Sequence, residues 1–174
     1  MLMALTLQAL GVNDRRIYLY DTFKGMTEPG ENDLIAWNGM RVKDKWEEDL
    51  RGEKNNFTGW AVDLESVRKY VLATGYPEKH LVFVEGPVEE TLLNDIPEKI
   101  SLLRLDTDWY ESTKIELEYL YPRLAIRGAL ILDDYGHFTG ARKAVDEYFK
   151  SKAQPVLLSR IDYTGRIAVK TTKG

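Results

Sequence analysis

Apolar positions fall into two rhythms along the chain. Four short runs of branched and aromatic residues, Ile17 to Tyr20, Leu81 to Val84, Leu102 to Leu105 and Ala129 to Leu132, lack strict alternation and predict strands buried on both faces. Helical spacing fills much of the rest. The apolar start, Met1 to Leu10, predicts a helix packed against a sheet. Between the second and third runs there is room only for a helix of about two turns, roughly Val88 to Leu93, before Asp95-Ile96-Pro97 closes it. From Glu111 through Leu124 apolar residues recur at helical spacing (Ile115, Leu117, Tyr119, Leu120, Leu124), and Gly128 is expected to end the segment. That pattern predicts a parallel strand pair joined by a crossover helix. Gly140 to Ser151 predicts another helix, with Ala144, Val145, Tyr148 and Phe149 on one face and Arg142, Lys143, Glu147 and Lys150 on the other. Val156 to Ser159 and Arg166 to Lys170, joined through Asp162-Tyr163-Thr164-Gly165, predict an antiparallel hairpin. The sum is an α/β fold: a mostly parallel sheet finished by a hairpin at one edge.

One stretch breaks the pattern. Thr27 to Trp60 is polar and rich in Gly, Asn, Glu and Lys, with Trp37, Trp46 and Trp60 spread through it, and is expected to be a lid or substrate loop. At 174 residues and 44% hydrophobic content the chain is expected to form a single domain. With no cysteine, disulfide frameworks, thiolate metal sites and cysteine nucleophiles are excluded, which suits a reducing cytoplasm, and any metal must sit on oxygen or imidazole. A net charge of -4 with both signs interspersed offers no basic stripe for nucleic acid. No basic residues precede the apolar start, so it does not read as a signal peptide. It is also well short of the ~20 apolar residues that span a bilayer.

The candidate chemistry is acidic. Asp106-Thr107-Asp108 follows the third strand and Asp133-Asp134 the fourth. Two parallel neighbours joined by one crossover helix deliver both groups to the same edge, where ligands bind in such sheets. Four carboxylates crowded there would repel, and a hard divalent cation with oxygen ligands, magnesium or a relative, is the simplest remedy. The competing explanation is that these aspartates cap helices, since Asp108 precedes the helix near Glu111 and Asp134 ends a strand. Asp21, ending the first strand, suits ribose hydroxyls, or equally a turn in Asp21-Thr22-Phe23. His137, close behind Asp133-Asp134, is a candidate either for touching substrate or metal or, by default, for an ordinary solvated or hydrogen-bonded role, and His80 has only the ordinary role. Trp109 and Tyr110 are candidates either for the wall of an acceptor pocket or for the core. The loop tryptophans are candidates either for stacking on a sugar or for pinning the loop.

The run Leu103-Arg104-Leu105-Asp106-Thr107-Asp108-Trp109-Tyr110-Glu111-Ser112-Thr113, followed by Leu120-Tyr121-Pro122-Arg123-Leu124 and Leu132-Asp133-Asp134-Tyr135, resembles the macrocin O-methyltransferase family (TylF type). Tyr20-Asp21-Thr22-Phe23-Lys24-Gly25-Met26, Val62-Asp63-Leu64-Glu65-Ser66-Val67, Val84-Glu85-Gly86 and Ala144-Val145-Asp146-Glu147-Tyr148 agree, so the match covers nearly the whole chain. The resemblance implies a Rossmann-like class I methyltransferase sheet that binds S-adenosylmethionine and methylates a sugar hydroxyl on a glycosylated natural product or polysaccharide. By motif, Asp106, Asp133 and Asp134 would hold Mg2+ and Asp108 would be the general base. Asp21 would bind the cofactor ribose, and Glu85 with Gly86 would lie near the adenine.

The chain departs from the family in lacking the acidic-Gly-x-x-x-Gly segment that follows the first strand of such methyltransferases. Met1 to Leu10 matches the helix that should come next, so the fold is expected to be N-terminally truncated. Closure by direct pairing of the Ile17 and Leu102 strands, completion by another subunit in a homo-oligomer, and a late start of the chain all stay open at this point. Two rival functions remain: a metal-dependent nucleotide-sugar glycosyltransferase using Asp106-Thr107-Asp108, and a non-catalytic remnant of the methyltransferase family.

Overall fold

The computed structural model describes residues 1–52, 57, 61–94, 96–152 and 156–172. In chain order the elements are α1 (Leu2–Ala9), β1 (Ile17–Asp21), α2 (Val42–Leu50), α3 (Leu64–Leu72), β2 (Leu81–Glu85), α4 (Val88–Thr91), β3 (Ile100–Leu105), α5 (Tyr110–Leu120), β4 (Leu124–Leu132), α6 (Thr139–Ser151), β5 (Ser159–Arg160) and β6 (Arg166–Val169). They divide into two compact units, one of Met1–Thr27 with Asn55–Pro87 and one of Glu28–Lys54 with Val88–Gly174.

In the first unit β1 and β2 pair in parallel, from Ile17 opposite Leu81 to Asp21 opposite Glu85. Ala4 of α1, Val71 of α3, Tyr76 and Leu81 form its core. The Tyr76 hydroxyl donates to the Arg15 carbonyl at 2.7 Å, so the ring is buried while its polar end is satisfied. Helix α3, absent from the expected elements, starts on a local signal. The Asp63 carboxylate accepts from the Ser66 amide at 2.9 Å and from its hydroxyl at 2.8 Å, capping the first turn.

The second unit carries a four-stranded sheet in the order β3-β4-β6-β5, with β3 and β4 parallel and β6 antiparallel to both neighbours. This is the mostly parallel α/β architecture with a C-terminal antiparallel hairpin that the apolar pattern predicts, divided between two ladders. β1 pairs with β2 and β3 with β4, so the ladders do not show the direct pairing of the Ile17 and Leu102 strands. Helix α5 is the crossover between β3 and β4, burying Thr113, Leu117 and Leu120, while α6 buries Ala144, Val145, Tyr148 and Phe149.

Three boundaries differ from expectation, one being the strand expected over Val156 to Ser159, of which only Ser159 lies in β5, since Leu157 points to solvent at 84% exposure. Helix α5 stops at Leu120, a 3-10 turn over Tyr121–Arg123 follows with Pro122 inside it, and Leu124 opens β4 instead of closing the helix. Proline cannot continue the helical hydrogen-bond ladder. Gly128 therefore lies within β4, where the register slips from Ile100 opposite Leu124 to Leu102 opposite Ala129 and Arg127 takes φ +68°. A Cβ on Gly128 would lie 2.7 Å from Leu124 Cδ1 and 2.8 Å from the Ala125 carbonyl, so this bulge requires glycine. The hairpin turns on Asp162, whose Oδ1 accepts from the Gly165 amide at 2.6 Å and the Thr164 amide at 2.9 Å.

Within the stretch expected as a lid, residues 42–50 form α2, and the segment before it is tied to the entry of α6. The Leu34 amide donates to the Thr139 hydroxyl at 3.1 Å. The Thr139 amide donates to the Leu34 carbonyl at 2.9 Å and the Ala36 amide to the His137 carbonyl at 2.8 Å. Trp37 stands 71% exposed beside these ties and Trp46 is half-buried, whereas Trp60 lies outside the described residues. Among the described residues no helix is long and apolar enough to cross a membrane.

Candidate functional site

The parallel register aligns Leu105 with Leu132, and the Asp133 amide extends the ladder by donating to the Leu105 carbonyl at 3.0 Å. The two acidic groups therefore leave the sheet side by side. One carboxylate oxygen each from Asp106, Asp133 and Asp134 lie within 4.8 Å of one another. Arg104, two residues before Asp106 on β3, donates from Nη1 to Asp106 Oδ2 at 2.5 Å and from Nη2 to Asp133 Oδ1 at 2.8 Å. Burial, then a hydrogen bond with Asp133, pushes the Asp106 carboxyl up to about 7 against the pull of Arg104. Asp108 goes further, to about 9, through burial and then the charge and hydrogen bond of Asp134. Burial also raises Asp134.

Such shifts mark carboxylates short of compensating positive charge. The donor set tests which group would supply it. It is all oxygen, its three atoms are close enough to face one ion, and Asp134 Oδ2 is buried with no hydrogen-bond partner among the described residues. A buried, unpartnered carboxylate oxygen is costly, and a hard divalent cation satisfies it. The residues present fit that group.

The backbone decides against the capping explanation for Asp108. Asp108 sits at φ +66°, at the apex of a tight turn closed by the Trp109 amide donating to the Thr107 carbonyl at 2.7 Å. A side-chain-bearing residue in this left-handed region is strained, and such strain gathers at functional sites. The first turn of α5 is capped from far away instead, because Asp33 Oδ1 accepts from the Tyr110 amide at 2.9 Å. Asp33 Oδ2 accepts from the Gly30 amide at 2.7 Å, and the whole side chain is buried. Gly140 makes room for it, since a Cβ there would fall 1.8 Å from Asp33 Oδ1. Below the acidic turn, the Thr107 hydroxyl donates to buried Glu116 at 2.9 Å, and burial pushes that carboxyl up to about 8.

Sequence reasoning missed Arg104, Asp33 and Glu116 as parts of the site. Arg104 left a signal, a charge interrupting an apolar strand run, and Glu116 another, an acid on the apolar face of α5. Asp33 left none, because its partner is 77 residues away. Trp109 is a core residue, edge-on to Phe138 with ring centroids 5.1 Å apart. The Tyr110 hydroxyl donates to Glu147 at 2.6 Å. His137 packs edge-on against Phe138 and Tyr163, and His80 closes a short 3-10 turn before β2.

In the first unit the ends of β1 and β2 bring Asp21, Glu85 and Gly86 together. Asp21 lies opposite Glu85, and the Gly86 amide donates to the Asp21 carbonyl at 3.0 Å. Asp21 Oδ1 also accepts from the Phe23 amide at 2.7 Å, while Glu85 pairs with Lys24 at 2.8 Å. Gly86 takes φ +135°, a conformation open to glycine.

The model of the macrocin O-methyltransferase (TylF) family matches residues 1–169. The chain belongs to that family. It is 34% identical over 163 residues to an 8-demethyl-8-(2,3-dimethoxy-alpha-L-rhamnosyl)-tetracenomycin-C 4'-O-methyltransferase of Streptomyces olivaceus, covering 94% of this chain and 58% of the relative. A demethyldecarbamoylnovobiocin O-methyltransferase of Streptomyces niveus is 30% identical over 142 residues, 82% of this chain and 50% of the relative. Among solved structures, the O-methyltransferase NovP superposes with a TM-score of 0.80 at 30% identity, covering 98% of this chain and 66% of that one. The chain thus spans little more than half the length of the curated relatives it matches. Membership of the family sets aside the glycosyltransferase alternative, and the likeness to NovP supports the Rossmann-like methyltransferase fold.

Proposed function

We propose that the protein transfers a methyl group from S-adenosylmethionine to a sugar hydroxyl of a glycosylated natural product or polysaccharide, with a divalent cation, Mg2+, held by Asp106, Asp133 and Asp134. The observation that carries this is the buried, unpartnered Asp134 Oδ2 beside two further carboxylates, in a chain of a methyltransferase family. S-adenosylmethionine supplies a methyl group activated by its positive sulfur. A cation on these oxygens supplies Lewis acidity, which lowers the pKa of a sugar hydroxyl, and offsets the repulsion among its ligands.

The remaining work belongs to the chain. Asp108, fixed at the apex of its turn and kept deprotonated by the positive charge of a cation bound beside it, would take the hydroxyl proton on a carboxylate oxygen as general base. The tight turn fixes the position of its backbone, and the cap from Asp33 holds the helix that follows. Asp21 accepts hydrogen bonds from the ribose hydroxyls, and Glu85 and Gly86 border the adenine. Trp37 offers an exposed ring of the kind that can cover the apolar face of a sugar.

Calorimetric titration of the protein with S-adenosylhomocysteine, with and without Mg2+, tests this. Micromolar binding that weakens about tenfold in Asp21→Ala is expected. Absence of binding by the wild-type protein overturns it.

A further inference from the structure

The charge that ties the two acidic groups together has no role in the function proposed above. Leu103 and Leu105 are buried on one side of β3, while Arg104 is exposed to about the same extent as the acids it meets, 40% against 43% for Asp106 and 41% for Asp133. The period-two alternation of a strand sends residue 104 and the residue two positions on in the same direction. Asp133 reaches the same guanidinium from the neighbouring parallel strand, so one rigid, permanently charged fork bridges β3 and β4.

We propose that Arg104 is a positioning and charge-balancing residue of the cation site. This rests on the assignment of Asp106, Asp133 and Asp134 as ligands. Geometry supports it first. Arg104 engages a single oxygen of each carboxylate, Oδ2 of Asp106 and Oδ1 of Asp133, so each keeps a second oxygen with which to bind an ion. Held this way, two flexible side chains from different strands are already oriented, and the ordering cost of binding falls. Charge balance is consistent with it in the loaded site. Three ionised carboxylates and a divalent cation leave one negative charge over, and Arg104 cancels it. Its guanidinium does not deprotonate, so the balance persists wherever the ligands are ionised.

The opposite role is also physically definite: an arginine that merely fills the site would compete with the cation for the carboxylates. The two roles predict opposite signs. Mg2+ or Mn2+ binding is to be measured by calorimetry on wild type, Arg104→Met, Arg104→Lys and Asp134→Asn, well below each melting midpoint as recorded in chelator. The expected result is cation affinity about 10- to 100-fold weaker in Arg104→Met. Arg104→Lys should recover only part of this, because an ammonium lacks the fork that meets two carboxylates at once. If Arg104→Met does not fold, Arg104→Lys carries the test with the same sign. Equal or tighter binding in the arginine variants, with binding lost in Asp134→Asn, overturns the role of Arg104 and leaves the cation site standing. No cation binding by wild type overturns the cation site itself and this inference with it.

Discussion

The acidic residues beyond the strand ends are treated differently in the two units. In the first, partners are close in sequence or directly across one ladder: Asp21 holds the Phe23 amide, Glu85 pairs with Lys24, and Gly86 bonds Asp21 on the neighbouring strand. In the second, carboxylates face one another, burial raises Asp106, Asp108 and Asp134 together, and the turn that bears Asp108 is held by Asp33 from a distant segment. A locally satisfied acid is suited to accepting hydrogen bonds from a neutral ligand. A crowded, buried set is unfavourable by itself and gains most from a positive ion. The contrast teaches that the second unit stores unfavourable electrostatics where the first has relieved them.

The largest effect that would break this comparison is in the crowded set. Asp134→Asn is expected to lower methyl transfer by on the order of a thousandfold, the scale of losing a cation's stabilisation of transition-state charge; turnover near the wild-type rate would refute it. Asp108→Asn is expected to reduce kcat by about 100- to 10,000-fold with cation affinity retained. The same variant sharpens the electrostatic contrast. The folded-state pKa of Asp108, about 9, lies above its unfolded value of about 3.9, so the folded state holds the extra proton. Its contribution is complete below the unfolded value and is lost as pH rises through about 9. Melting in chelator should therefore show stability declining across that window, less steeply in Asp108→Asn and less steeply with Mg2+ added.

Smaller effects test the scaffold. Asp33→Ala removes a remote cap and strands two amides, at Gly30 and Tyr110, which is expected to cost about 1–3 kcal/mol by denaturant unfolding. Gly140→Ala should cost a similar amount by overpacking the same carboxylate, and the two costs should not add. In the first unit, Asp21→Ala is expected to weaken S-adenosylhomocysteine about tenfold, the value of one good hydrogen bond to a charged group. Trp37→Ala should leave stability within about 0.5 kcal/mol, as exposed positions do, and raise the acceptor KM while leaving kcat nearly unchanged.

How much could be read in advance follows the same division. The strands, α5 and α6 were legible because each carries an apolar run or stripe, although β3 buries Leu103 and Leu105 while Leu102 is exposed, and not both faces as expected, and β5 is exposed throughout. Helix α2 was not, although Val42 and Trp46 stand four residues apart, because charged residues surround them and only Val42 is fully buried. Gly128 was taken for a helix stop because glycine commonly ends helices, whereas a strand bulge requires it just as strictly.

By itself the sequence determined the parallel strands, the helices α1, α4, α5 and α6, the family, and the arrival of Asp106 and Asp133-Asp134 at a shared edge, since period and chain order are local properties. Tertiary structure alone decided that Asp33 caps α5, that Arg104 bridges β3 and β4, and that Asp134 Oδ2 is buried without a partner. Those facts depend on which distant atoms meet and how much water they exclude, and no local pattern of residues encodes either.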